Sequence, residues 1–405
     1  MSIRVLQNKR IVLGVSGGIA AYKSAMLASK LVQAGALVDV ALTESAQRFI
    51  SPLTFQALTH RRVYDDLFEL PAHENIPHIA LADEADLLVI APATANTLAK
   101  MGAGLADNLL TSIALATPAP ILLAPAMESD MWQHPATQAN VSRLAGWGHH
   151  FVGPAEGRLA SGAMGLGRMV EPEEIVEAIR QVLGAGGDLA GKRVIVTAGG
   201  TREALDPVRY ITNRSSGKMG YALAETARDR GAGVTLISTA SLPLPRGVTL
   251  VAVDSAAEMK QAVLDNMPQA DVLVMAAAVA DYRPATTAAH KIKKSDDDLV
   301  LLLARTDDIT IAVAEVRGQT GWPRCVVGFA AETQNLLENA AGKLKRKSLD
   351  LIVANDVSRS DAGFAVDTNL VTILALDSEP QTLPLLSKVE VADAIWDRVL
   401  ARLES

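Results

Sequence analysis

The sequence is poor in cysteine and in aromatic residues: Cys325 is the single cysteine among 405 residues, and aromatic residues make up 4%. A single cysteine excludes a disulfide within the chain, which favours a reducing compartment, and its apolar setting RCVVGF predicts a buried structural thiol instead of a nucleophile. Long apolar runs are also lacking, since the longest are short stretches such as VLVMAAAVA, and no segment is expected to cross a membrane. The N-terminal MSIRVLQNKRIVLGVSGG has no signal-peptide pattern and predicts a first strand.

An excess of positive charge is missing too, because 38 Lys and Arg residues face 45 Asp and Glu residues, for a net charge of −7. The chain therefore has no electrostatic reason to bind nucleic acid or an anionic membrane. Its 49% hydrophobic and 20% charged composition is that of a folded protein, and 405 residues are too many for one ordinary core. We expect a cytoplasmic protein of two domains.

What the sequence does contain is one opening pattern used twice. KRIVLGVSGG, residues 9–18, and KRVIVTAGG, residues 192–200, are each a β-branched strand that ends in a glycine pair, and a helix and a second strand follow. Further short apolar runs alternate with helical patterns: DLLVIA, APILLA, VTLVAV, DVLVMA, CVVGFA and DLIVAN. These patterns predict an α/β protein of two tandem doubly wound, Rossmann-like domains with buried parallel strands. The glycine-rich GAGGDLAG, residues 184–191, is the best linker candidate, so we expect domains over residues 1–187 and 188–405.

The first glycine turn predicts a phosphate-binding site. Ligands of doubly wound sheets bind beyond the carboxyl ends of the strands, and Gly17 and Gly18 lie between the first strand and a helix that Ile19 and Ala20 open. Glycines let a phosphate approach the backbone, and the helix N-terminus supplies N–H groups. Tight packing of the turn, without any bound phosphate, would explain the two glycines equally well. The second strand ends at Thr43 and not at an acidic residue that would hold a ribose, so a mononucleotide fits better than NAD.

Three more segments of the first domain carry candidate residues. APATANT follows the strand DLLVIA, and its small polar side chains can bond a ligand at the sheet edge, although helix capping is the alternative for Thr94 and Asn96. PHIALADEAD contains His78, and PAMESDMW contains Glu128. ASGAMGLGRM, residues 160–169, spaces its glycines as G-x-x-G-x-G, the reverse of a dinucleotide-binding turn.

The second domain carries a series of polar and basic motifs. LDPVRYITNRSSGKMGYALAE joins an extended segment to a helix, and the lack of Ser or Thr after its Lys218 excludes a P-loop. AAAVADYRP places Asp281 after the strand DVLVMA, where a carboxylate can hold a metal ion or a ribose. KIKK, residues 291–294, and GKLKRKSLDLIVAND, with Lys343 and Lys347, add positive charge that suits a triphosphate. Solvated charged surfaces are the alternative for both basic segments.

These motifs together resemble a known family. SGGIAAYK, APATANT, PAMxxxMW and GxGRM are similar to flavoproteins that decarboxylate a C-terminal cysteine of a peptide or of a pantothenoyl group. DPVRYITNRSSGKMG, AAVADYRP, KIKK, GFAAET and LIVANDV resemble the phosphopantothenate–cysteine ligase domain. The whole chain thus resembles the bacterial bifunctional phosphopantothenoylcysteine decarboxylase/phosphopantothenate–cysteine ligase family of coenzyme A synthesis. The resemblance implies a flavodoxin-like N-terminal flavoprotein domain and a C-terminal nucleotide-binding ligase domain.

For the C-terminal domain the resemblance implies a ligase that uses CTP and Mg²⁺. CTP would convert the carboxylate of 4′-phosphopantothenate into an acyl-cytidylate, which the amine of L-cysteine then opens. Arg209 and the catalytic Asn213 would contact the acyl-cytidylate, and Asp281 would also serve Mg²⁺. The CTP site would be lined by Ala277, Asp281, Lys291, Asp308, Ile309, Phe329, Lys343 and Lys347. The family's Asn-Pro-Asp-Ile segment is here Thr306-Asp307-Asp308-Ile309, which weakens a CTP contact by Thr306.

For the N-terminal domain the resemblance implies an FMN-dependent decarboxylase. Oxidation of the cysteinyl group would give a thioaldehyde from which CO₂ leaves, and return of the hydride would give 4′-phosphopantetheine. His78 would be the catalytic histidine, Glu128 and Met131 would contact the substrate, and ASGAMGLGRM would be a flexible flap over its cysteinyl end. FMN would be held by Gly17, Gly18, Ile19, Ala20, Thr43, Pro92, Ala93, Thr94, Ala95 and Asn96.

Two residues depart from the best-studied branch of the family: Glu128 replaces an asparagine, and Ser161 replaces the proton-donating cysteine of the flap. A glutamate would repel a substrate carboxylate unless it is protonated or turned toward an amide, and a serine hydroxyl is a poor proton donor. Either a different donor completes the reaction or the flavin domain is impaired; a non-catalytic flavin-binding regulatory protein is the third possibility. The resemblance also implies a homo-oligomer, a dodecamer of flavin-domain trimers and ligase-domain dimers.

Overall fold

The protein consists of two compact units, Met1–Gly184 and Ala185–Ser405. A computed structural model describes residues 3–68, 76–294, 298–332, 336–356, 366–376 and 378–404. Thr333 and Val357, which belong to the GFAAET and LIVANDV motifs, lie outside these residues. Within them, no helix has the length and apolar character needed to span a membrane.

The first unit is built on a parallel sheet. Its strands are β1 (Arg10–Val15), β2 (Leu37–Leu42), β3 (Val63–Tyr64), β4 (Leu87–Ala93), β5 (Ile121–Pro125) and β6 (His150–Phe151). A separate hairpin consists of β7 (Ala155–Arg158) and β8 (Met164–Arg168). The helices are α1 (Ala21–Gln33), α2 (Glu44–Gln47), α3 (Pro52–Thr59), α4 (Pro77–Glu84), α5 (Ala95–Ala103), α6 (Leu109–Ala116), α7 (Ser129–Gln133), α8 (Pro135–Gly146) and α9 (Pro172–Gly184), besides a 3₁₀ turn at Arg4–Leu6.

The strand order of this sheet is β3-β2-β1-β4-β5-β6, with every neighbouring pair parallel. Alternate residues of β1 enter cores on opposite faces: Ile11 and Leu13 pack with α1 and α9, and Val12 packs with α5 and α6. The predicted doubly wound class is confirmed. The chain adds β3 outside β2 before it crosses to β4, so the order is that of dinucleotide-binding folds and not that of flavodoxin.

The second unit contains a larger sheet of eight strands. These are β9 (Arg193–Ala198), β12 (Gly233–Ser238), β13 (Thr249–Ala252), β14 (Val272–Met275), β17 (Cys325–Glu332), β18 (Leu351–Asp356), β20 (Val371–Ala375) and β21 (Ser378–Thr382). The short strands are β10 (Arg202–Ala204), β11 (Tyr210–Thr212), β15 (Tyr282–Pro284), β16 (Leu303–Arg305), β19 (Thr368–Asn369) and β22 (Leu386–Ser387). The helices are α10 (Lys218–Asp229), α11 (Ala256–Asn266), α12 (Ile309–Thr320), α13 (Leu336–Arg346) and α14 (Lys388–Glu404).

The order of the large sheet is β13-β12-β9-β14-β17-β18-β20-β21, parallel except for the two antiparallel strands at the β21 edge. Apolar clusters cover both faces, one of them around Trp396 of α14. One expectation is wrong: VTLVAV is not a buried strand, because β13 lies at the sheet edge and three of its four residues are exposed. Cys325 is buried, and burial raises the pKa of its thiol to about 12, as expected of a structural cysteine.

The predicted linker GAGGDLAG is packed onto the second unit along part of its length. Leu189 is fully buried in the core of that unit. Asp188 forms an ion pair with Arg230, whose Nη2 lies 2.7 Å from the carboxylate. A side chain at Gly187 would meet the Arg230 carbonyl oxygen at 2.5 Å. Residues 187–189 are therefore packed into the second unit and do not form a flexible spacer.

Candidate active sites

A cavity of about 1070 Å³ lies in the first unit beyond the carboxyl ends of β1, β2 and β4. The strand order reverses between β1 and β4, which is where ligands bind in sheets of this kind. The predicted residues that line this cavity are Gly17, Gly18, Ile19, Ala20, Thr43, Thr94, Ala95, Asn96, Glu128 and Met131. Residues distant in the sequence are thus brought to one site.

The backbone around the glycine turn is tightly packed. A Cβ atom at Gly17 would lie 2.3 Å from the Cβ of Ser45, so no larger residue fits there. The Ser16 hydroxyl donates to the Pro92 carbonyl at 2.7 Å and joins the ends of β1 and β4. The turn leads directly into α1, whose N-terminal N–H groups suit a phosphate. The turn and the volume of the cavity fit a flavin mononucleotide.

Two of the predicted cofactor residues do not line the cavity. Pro92 and Ala93 are buried within β4, so their side chains are not available to a ligand in the cavity. The hydroxyls of Thr43 and Thr94 cap helices, accepting from the N–H groups of Ala46 at 3.2 Å and Thr97 at 3.4 Å. The capping alternative thus holds for Thr94, which lines the cavity as well.

The ASGAMGLGRM segment forms the turn and second strand of the β7–β8 hairpin, which we call the flap (residues 155–168). A Cβ atom at Gly165 would lie 2.9 Å from the Ser129 side chain, and one at Gly167 would lie 2.2 Å from the Met127 carbonyl oxygen. The Met127 N–H also donates to the Gly167 carbonyl at 2.9 Å. The glycine spacing therefore lets β8 run against the segment before α7.

The two residues that depart from the family pattern contact each other. The Ser161 hydroxyl donates to one carboxylate oxygen of Glu128 at 3.1 Å, and the Ser161 N–H donates to the other at 3.4 Å. Glu128 is half-buried and Ser161 is exposed. The glutamate is thus turned toward an amide and a hydroxyl of the flap, which offsets part of its repulsion of an anionic ligand.

His78 lies apart from this cavity in the single chain. It belongs to the first turn of α4 and does not line the cavity. Its Nδ1 atom is buried and has no hydrogen-bond partner in the part of the chain that the structure describes. A buried polar atom without a partner is uncommon.

Sequence reasoning missed the basic residues that line the cavity. Lys23 is 4% exposed, and its Nζ donates to the Met169 carbonyl and the Glu171 carboxylate, both at 2.9 Å. Arg158 and Arg168 of the flap also line it. Lys23 is part of the SGGIAAYK motif, but a single buried lysine in a helix gives no sequence signal of its own.

In the second unit the predicted loops meet at the switch point between β9 and β14. The Asn213 amide donates to the carbonyls of Ala278 and Val279 at 3.2 and 3.1 Å. Gly200 pairs with Ala278, so the turn after β9 and the loop after β14 are joined. Ala277 and the exposed Asp281 belong to that loop. The geometry places the predicted catalytic asparagine where a ligand of this sheet would bind.

An ion pair and hydrogen bonds join two of the predicted motifs, the DPVRY segment and KIKK. Asp206 accepts both Nε and Nη2 of Arg209 at 3.0 and 2.6 Å, and it accepts the Ile292 N–H at 3.0 Å. Nη2 of Arg209 also donates to the Ile292 carbonyl at 2.7 Å. The hydrogen bond from Arg209 holds the pKa of the Asp206 carboxyl well below its usual range. The backbone of Ile292, the residue after Lys291, is thereby fixed against Arg209.

The remaining predicted CTP residues are distributed along three elements. Asp308 caps α12 and forms an ion pair with Lys347 at 2.9 Å. Burial opposes ionisation of Asp308, but hydrogen bonds from Thr310 and Lys347 hold its pKa below the ordinary value. Ile309 is 3% exposed within the core, so its side chain is not available to a ligand. Phe329 is half-buried in β17, and Lys343 lies in α13.

The described residues of the second unit fit a magnesium ion only if a substrate supplies some of its ligands. Among the described residues, no group of three or more His, Cys, Asp and Glu side chains could hold a metal ion. Mg²⁺ in nucleotide sites is commonly held by one or two carboxylates together with phosphate oxygens. Asp281 is an exposed carboxylate of that kind.

Two family models match the chain. Residues 2–184 match the Flavoprotein family, and residues 189–403 match the DNA/pantothenate metabolism flavoprotein C-terminal domain. The chain is thus a two-domain flavoprotein, with a fold and cavity that agree with this class.

Similar curated proteins span the whole length. The coenzyme A biosynthesis bifunctional protein CoaBC of Bacillus subtilis is 49% identical over 98% of each chain, and that of Vibrio cholerae is 47% identical over 96% of this chain and 97% of the relative. A solved C-terminal domain of a CoaBC protein is 43% identical and covers 53% of this chain and 97% of that one, with a TM-score of 0.45. The identity and coverage of these curated relatives show that this chain belongs to the CoaBC family of bifunctional coenzyme A biosynthesis proteins.

Proposed function

We propose that the chain catalyses two consecutive steps of coenzyme A synthesis: ligation of L-cysteine to 4′-phosphopantothenate in residues 188–405, then decarboxylation of the product in residues 1–187. Family membership over the full length supports an enzyme with a ligase and a decarboxylase activity. The single observation that carries the assignment to this chain is the flavin-sized cavity at the switch point of the first sheet. The proposed boundary lies beside the end of the first compact unit at Gly184.

The ligase step uses CTP. The carboxylate of 4′-phosphopantothenate attacks the α-phosphorus, pyrophosphate leaves, and the cysteine amine then displaces CMP from the acyl-cytidylate. Arg209 and Asn213 contact the acyl-cytidylate, a role supported by their fixed positions at the Ile292 carbonyl and the loop after β14. Asp281, together with phosphate oxygens, holds Mg²⁺, and Lys291, Lys343 and Lys347 neutralise the departing pyrophosphate. Ala277, Asp308, Phe329 and the backbone of Ile309 complete the CTP site.

In the decarboxylase step, FMN bound in the cavity would supply reversible hydride transfer with the cysteinyl group. The turn at Gly17 and Gly18 holds the phosphate of the cofactor, and the flap excludes water from the cysteinyl end of the substrate. His78 moves the proton of the thiol during oxidation. We assign the returning proton to the pair of Glu128 and Ser161: Glu128, once protonated, passes a proton through the Ser161 hydroxyl, a route that their hydrogen bond supports.

The chain acts as a homo-oligomer in this proposal. His78 does not reach the cavity of its own chain, and its buried Nδ1 lacks a partner within the described residues. Both observations are explained if a second copy of the chain brings its cavity to His78. Trimers of the flavin unit and dimers of the ligase unit, combined into a dodecamer, provide such contacts.

The test is a reconstitution with purified protein, FMN, CTP, Mg²⁺, L-cysteine and 4′-phosphopantothenate, with products identified by mass. We expect phosphopantothenoylcysteine to form only with CTP, followed by CO₂ and 4′-phosphopantetheine. Accumulation of phosphopantothenoylcysteine without CO₂ would show an impaired flavin unit. Absence of both products, or a purified protein without flavin colour, would contradict the proposal.

A further inference from the structure

The cavity of the first unit is lined by four basic side chains, and three of them form ion pairs within the chain. Lys100 forms an ion pair with Asp107 at 2.7 Å. Lys23 and Arg168 both bind Glu171. Two carboxylates of the chain, those of Asp107 and Glu171, therefore already engage these three cations.

Arg158 is the fourth basic residue, and it differs from the others. Its side chain lines the cavity and is exposed, and it forms no ion pair or hydrogen bond with any residue that the structure describes. It ends strand β7 of the flap, three positions before Ser161. The flap thus carries an arginine whose guanidinium is available to whatever occupies the cavity.

The charges in the cavity suggest a role for Arg158 in binding an anionic ligand. Glu128 lines the same cavity with a carboxylate whose partners are the hydroxyl and N–H of Ser161, which carry no positive charge. A ligand with a carboxylate or a phosphate would be repelled by Glu128 unless a cation binds it. A guanidinium matches both groups because it can donate two parallel hydrogen bonds.

We propose that Arg158 binds an anionic group of the decarboxylase substrate, either its carboxylate or its phosphate, and so determines the specificity of the first unit. The inference rests on the proposed decarboxylation of phosphopantothenoylcysteine, which carries both groups. Arg158 acts on binding and not on proton transfer. Loss of a hydrogen bond to a charged group is expected to lower kcat/KM about 10- to 100-fold.

The experiment compares Arg158→Gln and Arg158→Lys with the wild type in the full-length, FMN-loaded protein. The matched control is Arg48→Gln, an exposed arginine of the same unit that does not line the cavity. Each protein is assayed with phosphopantothenoylcysteine and with pantothenoylcysteine, which lacks the phosphate. Binding of both substrates and of phosphopantetheine, which lacks the carboxylate, is measured by calorimetry, independently of turnover.

The pattern of losses identifies the anionic group. If Arg158 binds the carboxylate, Arg158→Gln weakens both substrates and leaves phosphopantetheine binding unchanged. If it binds the phosphate, the loss is confined to phosphopantothenoylcysteine and phosphopantetheine. Arg158→Lys should recover part of the affinity in either case, since it keeps the charge.

Two outcomes separate this inference from the function on which it rests. A wild type that binds the substrates but releases no CO₂ overturns the decarboxylase, while the calorimetry still decides the role of Arg158. Equal affinity of wild type and Arg158→Gln for all three ligands, or a loss no larger than that of Arg48→Gln, overturns the role of Arg158.

Discussion

At the scale of single residues, the contact between Glu128 and Ser161 changes how two unusual positions are understood. Taken separately, each residue weakens the expected chemistry, since one repels an anion and the other is a poor acid. In the structure they form one hydrogen-bonded unit, in which Glu128 lines the cavity and Ser161 does not. In the proposed mechanism Glu128 is the acid and Ser161 relays its proton, so the role of each residue depends on the other.

Glu128→Gln tests this unit. The amide oxygen still accepts the Ser161 hydroxyl, but the side chain can no longer supply a proton. General-acid catalysis contributes about 10²- to 10⁴-fold, so we expect phosphopantetheine formation to fall by that order in an anaerobic single turnover. CO₂ should still be released, but only up to one equivalent per flavin, because the flavin then stays reduced. The two products are quantified separately by mass spectrometry. Glu156→Gln, an exposed flap residue, is the control, and phosphopantetheine formation by Glu128→Gln at the wild-type rate would contradict the assignment.

Asp206 supports a prediction about acid stability of the second unit. Its pKa in the folded protein lies below the ordinary value of 3.8, chiefly because of the hydrogen bond from Arg209. A depressed pKa stabilises the fold fully above the ordinary value and loses its effect as the pH falls through the folded pKa. We expect Asp206→Asn to melt at a lower temperature than wild type at pH 7 and the difference to shrink below about pH 4. A difference independent of pH in circular dichroism melts would contradict this.

At the scale of elements, the flap shows what the sequence could and could not predict. The central strands of both sheets were predictable from short apolar runs between glycine turns, whereas the outer strands β3, β6, β20 and β21 were not predicted. The function of the G-x-x-G-x-G spacing was not, because Gly165 and Gly167 are required by close approach to Ser129 and Met127, which are distant in sequence. For the same reason the contact between Glu128 and Ser161 could not be predicted, and β13 was taken for a buried strand because apolarity alone does not identify a sheet edge.

Gly167→Ala should displace the flap. The new Cβ atom would lie 2.2 Å from the Met127 carbonyl oxygen, so the hairpin must move and the hydrogen bond between these residues is strained. Overpacking of this kind costs about 1–3 kcal/mol. We expect decarboxylation to fall while ligation is unchanged, and the amides of residues 155–168 to exchange faster with deuterium. Gly186→Ala, where no heavy atom lies within 4 Å, is the control, and equal exchange in both variants would exclude the effect.

At the scale of the whole molecule, part of the glycine-rich segment 184–191 belongs to the core of the second unit. Composition predicts a flexible linker over residues 184–191. Leu189, however, is buried in the core of the second unit, and Asp188 forms an ion pair with the nearly buried Arg230. The functional second unit therefore begins before its first strand.

A pair of fragments makes this boundary measurable. A fragment of residues 188–405 keeps Leu189 and the partner of Arg230, whereas one of residues 192–405 exposes the cavity that Leu189 fills and removes one carboxylate from Arg230. Loss of a buried leucine side chain costs about 2–5 kcal/mol, so the shorter fragment should melt several degrees lower and lose CTP-dependent ligation first on heating. Leu189→Ala in the full-length chain should reproduce the lower transition without altering the decarboxylase. Identical melting of the two fragments would mean that the second unit begins at β9 and that residues 188–191 contribute nothing to its core.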